Sequence, residues 1–444
     1  MLKRFFLALV ASFAVAFAAP GAQAEITIEH WQGRGGAKVF FVASRALPIL
    51  DVQIDFPAGS MFELADKAGL ASFVHSLLEL GAGNLDESEI SNRLADVGAA
   101  LSGGVNADRA SLSLRTLAAP EKQAAALEVF TQVLAAPRFE SAIFERERAR
   151  GIANLKDSLT QPGPLASRAF RAALYPAHPY GRLTTPESLA ALTVEDARAF
   201  WQRHYVANNA VLSIVGDLDR QAAEALADQL LAALSEGDPV VLPAAPSLPA
   251  AADLTLAHPA SQAHIYLGLP AIASGDPDFF PFLVGNYTLG GGGFVSRLMT
   301  EIREKRGYAY SVYSTFRPQK QAGPFLITLE TKKEQAGEAL ALARKILADF
   351  LAHGPTPAEL EAAKAYLSGS FPLNLDGNRK ILAQIAAIGF YDLPLDYLAR
   401  YQERIRSVQA ADVRAVFARR VALENLVSVT VGAEGPAEEK TGQP

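Results

Sequence analysis

Arg303 and Tyr310 stand seven positions apart inside the stretch 289–316, LGGGGFVSRLMTEIREKRGYAYSVYSTF. A guanidinium and a phenol held together can stabilise negative charge growing on a carbonyl oxygen, or grip a peptide backbone. Each also has an ordinary structural reading: Arg303 paired with Glu301 or Glu304 at the surface, and Tyr310 packed at a strand start. Other chemistry is thinly supplied. The seven histidines are His30, His75, His178, His204, His258, His264 and His353, and no two are three or four apart. His75 and Glu79 are one helical turn apart, but a catalytic zinc normally takes three protein ligands, so a remnant pair on a helix face is the plainer reading. His178 and His204 read as structural hydrogen-bonding groups. Cysteine is absent, which removes thiolate zinc sites, disulfides and a thiol nucleophile. There is no G-x-S-x-G elbow, and no Gly-Lys-Ser/Thr follows the glycine run to make a phosphate loop.

The elements around the pair are legible from hydrophobic period. After Gly290 to Gly293, Phe294, Leu298 and Ile302 fall on one helical stripe with Val295 and Met299 beside it. Gly307 is placed to stop that helix. Tyr310, Val312, Ser314 and Phe316 then alternate as one side of a strand, so a turn would bring Arg303 and Tyr310 to one pocket.

The rest of the chain supplies two similar halves. Strands are expected at 26–30, 37–42, 50–56, 110–117 and 210–215, and helices at 68–80, 87–97, 121–134, 141–159, 167–174, 193–205 and 220–235, with Asp86 as an N-cap. Residues 236–252 are rich in Pro and Ala and read as a semi-stiff linker. Beyond it the plan repeats: strand 263–269 corresponds to 50–56, helix 279–289 to 68–80, and helix 294–306 to 87–97. Strands 311–316, 325–331 and 426–431 and helices 334–351, 357–370 and 407–417 follow, and 433–444 reads as a polar tail.

Composition sets the outer bounds. At 50% hydrophobic and 20% charged residues, this is a packed globular chain and not a disordered one. A net charge of −6 argues against a general nucleic-acid binder. The N-terminus joins Lys3 and Arg4 to an apolar run at 5–17 and ends Ala22-Gln23-Ala24, the pattern of a cleavable export signal, so the expected mature chain starts at Glu25 in the periplasm. An uncleaved N-terminal anchor is the alternative.

The segment with SRL, EKRG and YSVYS after a glycine-rich turn resembles the C-terminal domain of the pitrilysin/insulinase-type zinc peptidases, which carry an inverted HxxEH motif. The resemblance spans nearly all of the chain after the signal. It implies an α+β fold of two homologous α/β-sandwich domains, 25–235 and 253–432, each an antiparallel-rich sheet with packed helices, joined by the linker and closing like a clamshell. In catalytic members the first-domain helix reads GLAHFLEH; here 69–76 reads GLASFVHS. Ser72 takes the first His position, His75 the Glu position and Ser76 the second His position. The third ligand, a Glu on a later helix, falls near Ala153 and Asn154. The zinc set is therefore gone, while the Arg and Tyr of the C-terminal motif match Arg303 and Tyr310. Some members divide these parts between two subunits. The resemblance thus implies a non-catalytic subunit without its own metal, partnered by a zinc-bearing HxxEH homologue that acts on peptides. Weaker expectations are substrate contact at Asn106, where Val105-Asn106-Ala107 and strand 110–117 would form a peptide-binding edge, and at Gly291 and Gly292 lining the chamber. A peptide-binding or assembly scaffold with no hydrolytic role is the alternative; an unusual metal site around His75 is a third reading.

Overall fold

The computed structural model describes residues 26–432. The expected export signal and the 433–444 tail lie outside the described residues. The first half forms strands β1 (Glu29–Gln32), β2 (Lys38–Ala43), β3 (Ile49–Phe56), the short hairpin β4 (Gly81–Ala82) and β5 (Leu85–Asp86), then β6 (Ala100–Val105), β7 (Ala110–Leu117) and β8 (Val211–Gly216). The second half forms β9 (Ala252–Leu256), β10 (Gln262–Ile272), β11 (Ala309–Phe316), β12 (Gly323–Lys332) and β13 (Val427–Val431). The large sheets run β1-β2-β8-β3-β7-β6 and β11-β12-β10-β13-β9. They superimpose in order as β6/β11, β7/β12, β3/β10, β8/β13 and β2/β9, with β1 added to the first. In each, the single parallel pair falls at the same place, β2 with β8 and β9 with β13. The duplication read from the sequence is thus present, with β6 and β9 as strands that the sequence pattern did not announce.

Local chemistry fixes the element ends. Asp86 accepts from the Glu89 N–H at 2.8 Å while Glu89 reaches back to the Asp86 N–H at 2.9 Å, the reciprocal cap that starts the Glu87–Asp96 helix. Thr193 and Asp196 do the same for Val194–His204, and Thr356 and Glu359 for Pro357–Ser370. Pro162, which falls between the helices expected at 141–159 and 167–174, instead takes the first position of the Pro162–Leu174 helix, where its missing N–H costs nothing.

Two helices cross between the halves. Asn378–Phe390 lays Ile381, Ile385 and Ile388 against Phe40, Val42, Val211 and Val215 of the first sheet. Pro162–Leu174 lays Ala166, Phe170 and Leu174 against Leu326, Val427, Val429 and Val431 of the second. This exchange explains why β3 is buried on both faces although it alternates apolar and polar residues. Its polar side chains Asp51 and Asp55 are covered and must be paired: Asp51 takes both arms of Arg115 at 2.6 and 2.9 Å, and Asp55 takes Arg109 at 3.3 Å. Asn378–Phe390 and Tyr397–Ser407 were absent from the sequence reading. Among the described residues no helix is long and apolar enough to cross a membrane.

Candidate functional site

The helix before Gly307 begins later than its hydrophobic stripe suggests. Residues Gly293–Val295 form a tight turn, closed by Ser296 Oγ donating to the Gly293 carbonyl at 2.7 Å. Leu298, Met299 and Ile302 are buried as expected, but Phe294 and Val295 are 64% and 69% exposed, so they belong to the surface and not to the core stripe. The Met299–Glu304 segment is a π-helix, with Lys305 N–H reaching the Thr300 carbonyl at 3.0 Å. Gly307 ends it with φ 63°: its N–H meets the Arg303 carbonyl at 2.9 Å and the Tyr308 N–H meets the Ile302 carbonyl at 3.0 Å. That paired closure needs a left-handed residue, which is why glycine sits there.

β11 follows at once, and its register slips between Ala309 and Ser311. This bulge turns Tyr310 out of the expected alternation, leaving it 80% exposed while Val312 and Ser314 point inward. Across the turn the Arg303 guanidinium lies 4.7 Å from the Tyr310 ring centre and 4.8 Å from that of Phe294. The cation is thus held between two aromatic faces, each contributing up to about 1 kcal/mol at such a site. Glu301, one of the partners considered for Arg303, is taken by Lys305 at 2.7 Å and Arg306 at 3.0 Å, which hold its carboxyl below the usual range. Among the described residues neither the Arg303 guanidinium nor the Tyr310 hydroxyl has a hydrogen-bond or ion-pair partner. The structure therefore brings the two together, with Tyr310 exposed and Arg303 half-buried between the rings.

The glycine run serves packing. A Cβ on Gly290 would come within 2.4 Å of Ser314 N, one on Gly291 within 2.7 Å of Asn286 Nδ2, and one on Gly292 within 2.8 Å of the Tyr287 carbonyl. Gly291 and Gly292 are not among the residues lining the cavity between the two halves. Asn106 does line it, but its Oδ1 is used locally, accepting from the Asp108 N–H at 2.8 Å and the Arg109 N–H at 2.9 Å to shape the β6–β7 turn. The expected peptide-binding edge also moves: β7 is interior, between β3 and β6, and the open edge is β6.

The helix Leu70–Leu77 carries the altered zinc motif. Ser72 and Ser76 lie exposed on it, and the Ser76 hydroxyl donates to the Phe73 carbonyl at 2.7 Å. His75 donates through Nε2 to the Ser111 carbonyl at 2.8 Å, which ties the helix to β7. Burial raises the Glu79 carboxyl above its ordinary range, with His75 opposing the shift. Ala153 and Asn154 are exposed on Ser141–Ser158 and offer no carboxylate. No group of three His, Cys, Asp or Glu able to hold a metal occurs among the described residues. The zinc of the resembling family does not fit here, because the donors are hydroxyls and an imidazole already engaged with a carbonyl. His178 and His204 make the structural hydrogen bonds expected, to the Tyr180 N–H at 3.2 Å and the Pro57 carbonyl at 3.1 Å.

A cavity of about 490 Å³ separates this helix from the second sheet. Glu63, Ser72 and Asn106 line it from the first half, Arg171 and Tyr175 from the crossing helix and its end, and Tyr313 and Arg317 from the second half. Burial pushes the Glu63 carboxyl up to about 7, against N–H bonds from Gly69 at 3.0 Å and Ala71 at 2.8 Å. None of Glu63, Arg171, Tyr313 or Arg317 stood out in the sequence, since no motif spacing connects positions so far apart in the chain.

Comparison with known proteins gives the family to which this two-part fold corresponds. Residues 41–185 match the model described as "Insulinase (Peptidase family M16)" and residues 191–367 that described as "Peptidase M16 inactive domain". A crystal structure described as the peptidase M16 inactive domain from Pseudomonas fluorescens is 35% identical, with a TM-score of 0.89 over 92% of this chain and 98% of that one. The chain belongs to the M16 peptidase family. Within the M16 relatives, an uncharacterized zinc protease of Streptomyces coelicolor is 30% identical over 307 residues, and the match spans 66% of this chain and 65% of the relative. The non-peptidase homolog YmxG of Helicobacter pylori is 24% identical over 88% of this chain and 91% of its own.

Proposed function

We propose that this chain is the non-catalytic subunit of an exported two-chain M16 peptidase, which lends Arg303 and Tyr310 to a site whose metal belongs to an HxxEH-bearing partner. The single observation that carries this reading is the stacked pair: a half-buried guanidinium between Phe294 and exposed Tyr310, without a carboxylate of its own among the described residues. The non-peptidase and inactive-domain descriptions of its relatives support it. The partner's zinc would polarise the scissile carbonyl and the attacking water. This chain's part is to meet the growing negative charge on the carbonyl oxygen with the Tyr310 O–H and the Arg303 cation, both already oriented, so little reorganisation is needed as charge develops. The periplasm is the compartment proposed, from the N-terminal sequence.

The test is reconstitution with the HxxEH homologue. Arg303→Ala and Tyr310→Phe should each lower kcat/KM on the order of 10²–10³-fold while size-exclusion chromatography still shows the complex. Full activity in both variants would refute the shared site. Full activity with loss of the complex would instead favour the scaffold reading, in which exposed Phe294, Val295 and Tyr310 serve only docking.

A further inference from the structure

The cavity between the halves has the composition of an anion site. Three arginines line it, Arg171, Arg182 and Arg317, against one carboxylate, Glu63, and that carboxylate already serves the N–H groups at the start of the Leu70–Leu77 helix. Arg182 is spent on the Glu63 carbonyl. Arg171 and Arg317 have no side-chain hydrogen-bond or ion-pair partner among the described residues. Both are exposed side chains that an incoming anion can reach, and partial desolvation holds the Arg171 guanidinium below its ordinary pKa, with Arg168 adding to the shift and Glu63 opposing it.

The walls argue for an organic ligand. Phe170 and Tyr266 pack with ring centres 5.5 Å apart, and Tyr266 and Tyr313 both line the cavity. The Thr328 hydroxyl lines it as well; the residue is only 7% exposed and its Oγ1 has no protein partner among the described residues. The side-chain Oε1 of half-buried Gln319 is likewise a buried atom with no protein partner among the described residues. A volume of about 490 Å³ lies within the roughly 300–1,000 Å³ of small-ligand pockets. Two unspent guanidiniums, aromatic walls and buried groups that can both donate and accept match the end of a peptide: a carboxylate, an adjacent N–H and an apolar side chain.

We infer that the cavity between the two halves, bounded by Arg171, Tyr266, Tyr313, Arg317 and Thr328 and facing Ser72, binds the free C-terminal carboxylate of a short peptide. The site stands apart from the Arg303–Tyr310 pair and does not depend on the reading of that pair.

Isothermal titration of the purified chain tests it with a short apolar peptide acid, the same peptide as its C-terminal amide, an amidated peptide ending in Glu, and inorganic phosphate. The acid should bind at least tenfold more tightly than the other three, as expected for charge-assisted bonds to a terminal carboxylate. Arg171→Met and Arg317→Met should each weaken the acid at least tenfold, with an unchanged melting temperature confirming the fold. An amide that binds as well as the acid overturns the proposal, and the wild-type comparison alone suffices to show it. Equal binding of the Glu-ending amide or of phosphate overturns it too, in favour of a general anion site. Absence of binding by the acid also overturns it.

Discussion

At the scale of single residues, burial sets two titrations that oppose one another. Glu63 is raised to about 7 by burial, so the folded state binds a proton that the unfolded chain gives up near its ordinary value of 4.5. Its contribution favours folding at low pH and is lost as pH rises from about 4.5 to 7. His204 is lowered to about 4 by burial, so the folded state refuses a proton that the unfolded chain takes near 6.5. Its neutral form is compatible with the fold above 6.5, and stability is lost as pH falls from 6.5 toward 4. Each shift corresponds to about 3 kcal/mol, and over the shared range the two nearly cancel. Melting temperature in the wild type should therefore change little from these groups between pH 6.5 and 4.5. Glu63→Gln should make the protein acid-labile over that range, and His204→Gln should make it gain stability on acidification. Calorimetric slopes identical to wild type in both variants would reject this assignment. Neither shift was legible beforehand: a lone Glu in a loop and a His at a helix end, the latter read only as a structural hydrogen-bonding group, acquire their environments from tertiary burial. Arg303 and Tyr310 were legible, because the period change at Gly307 fixed a turn between them. The bulge that exposes Tyr310 was not, since a one-residue slip leaves the amino-acid pattern unaltered.

At the scale of elements, the glycine run and β11 act together. Asn286 and Ser314 are joined by Ser314 Oγ donating to Asn286 Oδ1 at 2.8 Å and Asn286 Nδ2 donating to the Ser314 carbonyl at 3.3 Å. Gly290 fits beneath that junction, where an added methyl would meet a backbone nitrogen at 2.4 Å that cannot turn aside. Gly290→Ala should destabilise by about 2–3 kcal/mol and, by shifting β11, should also lower activity in the reconstituted complex. Gly293 is needed for a different reason: its φ is 60° and nothing lies within 4 Å of an added Cβ. Gly293→Ala should cost about 1 kcal/mol. Urea titration of both variants gives the comparison, and equal stability of Gly290→Ala and wild type would refute the packing role. The capped helices and strands such as β3 and β7 were readable from local signals. Asn378–Phe390 carried an equally readable period at Ile381, Ile385 and Ile388, but its partner surface lies on the sheet of the other half.

At the scale of the whole molecule, the two halves are interlocked by the crossed helices and by one buried carboxylate. Asp108, 1% exposed in the β6–β7 turn, accepts from Tyr180 Oη at 2.5 Å, from Tyr391 Oη at 3.0 Å and from the Lys320 N–H at 2.9 Å. These donors come from a first-half loop, from the end of the crossing helix and from the second-half β11–β12 connection. The repeated sheet plan was visible in the sequence because each half encodes it locally. This junction was not, because its members are scattered over almost three hundred positions. Asp108→Ala leaves one buried and two part-buried donors without their acceptor, and buried unsatisfied groups cost about 1–3 kcal/mol each before relaxation. A total loss of about 3 kcal/mol is expected, as several will recover water once the junction loosens. The sharper consequence is where the loosening occurs. Hydrogen exchange should rise together at 106–109, 178–181, 318–322 and 390–392, while β3 and β10, which sit at the centre of their sheets, keep their protection. Faster exchange confined to one half, or spread evenly through both sheets, would mean that Asp108 supports its own turn and does not pin the halves together.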